Sequence, residues 1–175
     1  MVLVSWKSQM VTTASDWHAP TAGSSIMRIR KSSSALLLGM RGKILLCRRD
    51  IEPRRGYWTI PAGYLELNET VVDGAWREVR EEALAKIKID LFLGIYNVPR
   101  VSQVQIIFRA TLLGGAFGAG EETLEAELFA WEDIPRDKIA FPSVNWALDH
   151  YRAVEGKSDF APHSNPVGDL GNFKS

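Results

Sequence analysis

The chain has 175 residues, 46% hydrophobic and 24% charged, with 21 lysines and arginines matching 21 aspartates and glutamates for a formal net charge of zero. That size and balance fit one globular domain with tails, and the lack of an overall basic field argues against a general nucleic-acid binder. A single cysteine, Cys47, excludes an internal disulfide; in the apolar run KILLC it reads as a buried, inert thiol.

Residues 1–34 are rich in Ser and Thr and carry one acid, Asp16, against Lys7, Arg28, Arg30 and Lys31. They read as a flexible extension, although this composition also permits an organelle transit peptide. The start MVLVSWK is too short for a signal-peptide core, and no run approaches membrane-spanning length. A cytoplasmic protein without membrane partners is therefore expected, with an organelle as the alternative. Residues 35–48 form two apolar runs around Met40-Arg41-Gly42, a hairpin signal. GYWTIP (56–61) reads as a short strand closed by Pro61 and leads into a loop over 62–69. A helix follows: Thr70 caps it, Asp73 supports its first turn, and Val72, Ala75, Trp76, Val79 and Ala83 make an apolar stripe with Trp76 as a core anchor. Residues 86–97 predict one or two strands and 103–113 another. Residues 114–125 predict a Gly/Glu loop, and 126–131 a short strand. A last helix starts at Pro142-Ser143 with Val144, Ala147, Leu148 and Tyr151 as its apolar face. The remainder lacks periodicity and reads as a flexible tail. The domain thus spans 35–152 between an extension at 1–34 and a tail at 153–175, and a chain trimmed to 35–152 is expected to fold. This order implies an α/β protein with a mixed sheet flanked by helices. His18, His150 and His163 are scattered and read as non-catalytic.

The chemistry concentrates on the first helix. Glu78, Glu81 and Glu82 stand at relative positions 0, 3 and 4 and so share one face. Side by side they repel, and a hard divalent cation such as Mg²⁺ or Mn²⁺ relieves that repulsion. On its own such a run is more often a solvated face. The longer pattern runs Gly63, five residues, Glu69, seven residues, Arg77-Glu78-Val79-Arg80-Glu81-Glu82. It resembles the Nudix box, G-x5-E-x7-R-E-U-x-E-E-x-G-U with U apolar. Two positions depart: Leu84 stands where the box has its second glycine, and Ala85 fills the last apolar position.

The resemblance covers roughly residues 35–152 and implies an α/β/α sandwich with a mixed sheet. It implies a pyrophosphohydrolase with Glu78, Glu81 and Glu82 as metal ligands, joined by the Ala62 or Gly63 carbonyl. Glu69 would pair with Arg77 and organise the site. The box leaves the general base open among Glu81, Glu82 and the later Glu122 and Glu125. The segments LLCRRDIEPRRGYWTIPAGYLELNET and LEAELFAWEDIPRDKIAFPS, with Pro99, resemble the ADP-ribose and FAD pyrophosphatase subgroup. The paired cysteines of that subgroup's zinc ribbon are missing, so zinc is not expected. Some of Arg48, Arg49, Arg54 and Arg55 can reach a diphosphate, although any single one is more often solvated charge, and Tyr57, Trp58 or Phe108 can stack on a base, although an aromatic in a strand is more often core. The expected partner is a small nucleotide, with a homodimer also admitted. The alternatives are a nucleoside triphosphate or capped-RNA substrate, or a nucleotide-sensing module without turnover; the presence of all four box glutamates and Arg77 favours an enzyme.

Overall fold

The computed structural model describes residues 31–173. Strand β1 (Lys31–Met40) turns at Arg41-Gly42 into β2 (Lys43–Arg49), as the hairpin signal predicts. Both turn residues have positive φ, 50° and 75°. The short β3 (Trp58–Thr59) and β4 (Ala62–Tyr64) lead to helix α1 (Val71–Glu82). Then come β5 (Lys86–Val98), β6 (Gln103–Leu113), β7 (Thr123–Ala130) and α2 (Pro142–Ala153). The two-strand option for 86–97 resolves as one strand whose register slips between Ile89 and Leu91 and again between Phe92 and Gly94.

The described strands form one mixed sheet. β1 and β6 run parallel, and the other pairings are antiparallel. β1 divides its pairing: Leu38–Met40 pair with β2, while Ser33–Ala35 pair with β4. Residues 60–63 therefore leave the β2 edge and cross to β1, which sets the box loop beside the helix that follows it.

Alternation along the central strands makes two cores, because successive side chains point to opposite faces. Leu36, Leu38, Leu45 and Cys47 pack with Ala75 and Val79 of α1 and with Ala83, which caps its end. Leu37, Ile44, Leu46, Leu93 and Ile107 pack with Val144, Ala147 and Leu148 of α2. The result is the expected α/β/α sandwich. Covering both faces explains why the sequence shows unbroken apolar runs there. Cys47 is buried, and burial pushes its thiol well above the ordinary range, so it stays protonated and inert.

Helix α1 starts as expected: Thr70 Oγ1 accepts the Asp73 N–H at 3.1 Å and donates to the Asp73 carboxylate at 2.6 Å. Its stripe needs correction. Val72 and Trp76 are 44% and 38% exposed, so Trp76 is not a core anchor. The buried arc is centred on Ala75 and Val79 but rotates toward Glu78 and Glu82, which are also buried. The box loop covers that side of the helix and leaves Trp76 on the opposite shoulder.

Leu84, at the missing box glycine, adopts φ +48° and is 59% exposed. The helix thus ends in the left-handed conformation the glycine would favour, with leucine bearing the steric cost. Leu84→Gly is expected to raise stability by about 1 kcal/mol, the left-handed penalty less the added unfolded-state entropy. Chemical denaturation checks it, and a lowered midpoint would contradict the assignment.

The expected boundaries also shift. Residues 1–30 lie outside the described residues, but 31–34 belong to β1, and Ser33 and Ser34 are buried between β4 and β6. Trimming at residue 35 would remove part of both pairings. At the other end, His163 bridges to Gly94 of β5, and Asn165 bonds the Asn97 backbone. Aperiodic sequence here reflects pairing through backbone and short polar side chains, which leaves no hydrophobic period to read.

Candidate active site

The box loop and α1 meet around Arg77. Its Nε and one terminal nitrogen hold both oxygens of Glu69, at 2.9 and 3.1 Å. The other terminal nitrogen donates to Glu78 at 2.6 Å and to Glu81 at 3.0 Å. A further bond reaches the Tyr64 carbonyl at 3.0 Å. Glu69 also accepts the Glu66 N–H at 3.0 Å. With its side chain only 22% exposed and so many partners, Arg77 is no ordinary surface ion pair. The pairing holds the Glu69 carboxyl below, and the Arg77 guanidinium above, their usual ranges.

The other carboxylates sit deeper. Glu82 accepts the Ala62 N–H at 3.1 Å, and burial, reinforced by Glu78 and Glu122, pushes its pKa up to about 8. Burial also raises Glu78, against the pull of Arg77 and with further repulsion from Glu81 and Glu122. Buried carboxylates that repel one another favour either protonation or a cation. Gly63 lies so close that an added Cβ would stand 2.1–2.4 Å from the Glu78 carboxyl atoms. A side chain here would have to displace the Glu78 carboxylate, which Arg77 holds.

No three His, Cys, Asp or Glu side chains among the described residues form a ready-made metal cluster. Arg77 is the cation that Glu78 and Glu81 face. The donor set nevertheless fits a hard divalent ion: all-oxygen, clustered and only partly neutralised by Arg77.

The Gly-rich loop closes the end of α1. Gly118 and Gly120 donate N–H groups to the Ala83 and Glu82 carbonyls at 2.9 and 3.1 Å. That contact carries Glu122 to the Glu78–Glu82 pair.

One cleft of about 1360 Å³ is lined by Gly63, Glu78, Glu81, Glu82 and Glu122, with Arg77 beside them. Arg49 lines it too, anchored to the Pro53 carbonyl and lying over Phe141. Arg54 and Arg100 line it near Phe173. The structure does not bring every candidate together. Glu125 pairs with Arg48 across β7 and β2, outside the cleft lining. Arg55 pairs with Asp50 and also lies outside it. Trp58 is buried edge-on against Phe129, so it packs the core rather than a substrate. Pro99 opens a 3-10 turn whose next residues, Arg100 and Val101, line the cleft in its place. Sequence reasoning missed Arg100, Phe173 and the close approach of Gly120. Only the spacing of GGAFGAG offered a signal, and it reads equally as a flexible loop.

A family model described as NUDIX domain matches residues 28–149. A solved NUDIX hydrolase from Nitrosomonas europaea superposes with a TM-score of 0.76 at 39% identity, covering 83% of this chain and 82% of that one. An ADP-ribose pyrophosphatase of Methanocaldococcus jannaschii is 34% identical over 118 residues, 65% of this chain and 69% of that protein. A MutT-like protein of Streptomyces ambofaciens is 34% identical over 133 residues, 73% of this chain and 81% of that one. The family match spans well over half of the chain and contains the whole carboxylate–arginine site, and so the chain belongs to the Nudix hydrolase family.

Proposed function

We propose that this hydrolase cleaves the pyrophosphate bond of a nucleoside diphosphate derivative such as ADP-ribose or FAD, releasing AMP, and that it needs Mg²⁺ or Mn²⁺. The observation that carries this reading is a single cleft with carboxylates at one part and arginines with aromatic rings at another. A substrate with two wings around a diphosphate needs both: charge management at the linkage and flat or cationic surfaces for the wings.

Glu78, Glu81, Glu82 and the Gly63 carbonyl would hold the ion. When bound, the ion supplies neutralisation of the diphosphate and a lowered pKa for attacking water. The chain's own residues do the rest. Arg77 locks Glu69, the Tyr64 carbonyl and the glutamate face into one unit, so the loop and helix present a fixed geometry. The proton of the attacking water passes to a carboxylate of the cleft. Glu81, Glu82 and Glu122 stand there, whereas Glu125 is held by Arg48. Arg49 offers guanidinium edges to the diphosphate oxygens.

Specificity constants for ADP-ribose, FAD, NADH and dGTP, with and without a chelator, test the reading. ADP-ribose or FAD is expected to lead and to yield AMP, with activity lost on chelation and restored by Mg²⁺ or Mn²⁺. A tenfold preference for dGTP, or full turnover in metal-free buffer, would overturn it.

A further inference from the structure

The C-terminal segment is built as a strap with one end in the cleft. His163 exchanges two backbone hydrogen bonds with β5: its N–H donates to Leu93 at 2.9 Å, and its carbonyl accepts from Ile95 at 3.0 Å. The His163 ring stacks on His150 at 4.2 Å. Asn165 then clamps the Asn97 backbone through both ends of its amide, at 2.8 Å each. Asp169 accepts from the Trp146 indole at 3.1 Å and from the Gly171 N–H at 2.9 Å. Gly171, at φ +76°, lies against Trp146 and Val98. These anchors deliver Phe173 to the cleft, where the Arg54 and Arg100 guanidiniums lie over its ring at 4.3 and 5.0 Å from the centroid.

We infer that Phe173, with Arg54 and Arg100, forms the platform on which the planar base of the nucleotide stacks. Phe173 is thus a specificity-determining residue of this hydrolase, an inference that rests on the nucleotide-diphosphate reading above. Here the two guanidiniums lie over the ring, 4.3 and 5.0 Å from its centroid, and with it offer stacking surfaces. It remains 38% exposed, so it can receive a base. Base–aromatic stacking tolerates any base and discriminates against ligands without one. The anchors belong to a segment that carries no apolar period, and their convergence on one ring gives that segment a purpose.

The test compares the full chain with Phe173→Ala and Phe173→Tyr. Calorimetric binding uses AMP and, as the base-free probe, ribose 5-phosphate; steady-state kinetics use ADP-ribose. Phe173→Ala should weaken AMP about tenfold, the lower end of a lost stacking contact, and leave ribose 5-phosphate within about twofold. The KM for ADP-ribose should rise about tenfold with kcat nearly unchanged, as for a contact made equally in ground and transition states. Phe173→Tyr should restore both. Equal losses for AMP and ribose 5-phosphate would overturn the base assignment in favour of an anion site. Wild-type cleavage of ADP-ribose with an unchanged KM in Phe173→Ala would overturn the platform and leave the proposed function standing. A wild-type chain that neither binds AMP nor cleaves ADP-ribose would remove both.

Discussion

Glu82→Gln is expected to lower kcat and kcat/KM together by on the order of 10²-fold or more, the scale of a lost general base or metal contact. The substitution keeps the shape and can still accept the Ala62 N–H, so the loss isolates the charge. Stability should move the other way. The folded-state pKa of Glu82, about 8, stands above the ordinary carboxylate value of 4.5 because the ionised form is buried. The folded protein therefore holds a proton that the unfolded chain releases. This contribution is fully present below pH 4.5 and is lost as pH rises through about 8. Through Glu82, and through Glu78 raised in the same direction, metal-free protein should accordingly lose thermal stability between those pH values, by about a few kcal/mol at most, while His150 and His163, lowered by burial, act with the opposite sign as pH passes their ordinary range. Glu69, held down by Arg77, acts with the opposite sign only below the ordinary carboxylate range. Glu82→Gln should flatten the fall, and so should added Mg²⁺, which favours the ionised carboxylate. Glu81→Gln, at a 59% exposed side chain that accepts from Arg77, should likewise lower activity. Wild-type rates in both variants would show that the box glutamates take no part in turnover here.

The sequence revealed this site unevenly, for physical reasons. Contacts local in the chain were legible. Helical spacing placed Glu78, Glu81 and Glu82 on one face, and the box pattern joined Glu69 to Arg77, which the structure links by two hydrogen bonds across eight positions. Strand runs buried on both faces were equally plain, because the apolar runs at 35–38 and 44–47 leave little alternative. Pairing across the fold was not legible. Arg48 and Arg49 are neighbours in sequence, yet strand alternation sends one to Glu125 and the other to the cleft. Trp58 and Trp76 were read in reverse, because Trp58 packs edge-on against Phe129 in the core on the α2 side, whereas Trp76 stands on the exposed shoulder of α1. Phe173 is an isolated aromatic in a polar run. Its position depends on Asn165 and Asp169 bonding to backbone and indole, and such bonds leave no period.

Gly120→Ala should damage both fold and activity, although Gly120 itself has no left-handed φ. A Cβ there would stand 1.6 Å from the Glu81 carbonyl oxygen, 2.7 Å from its carbon and 3.2 Å from the Glu82 Cα. All three are backbone atoms of α1, so no side chain can swing away, and the loop itself must move. Movement breaks the N–H bonds of Gly118 and Gly120 to the end of the helix and strains the Asp50 N–H to Glu122 carbonyl bond at 2.9 Å. Overpacking of this kind costs about 1–3 kcal/mol, and the unmade backbone bonds add about 1 kcal/mol each. A loss of about 3 kcal/mol in denaturation is therefore expected. Because the same loop carries Glu122 to Glu78 and Glu82, turnover should fall by on the order of 10-fold or more even in the folded fraction, as small misplacements of catalytic groups do. Gly118→Ala serves as the control, since its Cβ would meet only the end of the Leu84 side chain at 3.7 Å. It should leave stability and activity close to wild type. If Gly120→Ala instead matched Gly118→Ala in both measurements, the loop would not be what holds the end of the helix and the acidic group in place.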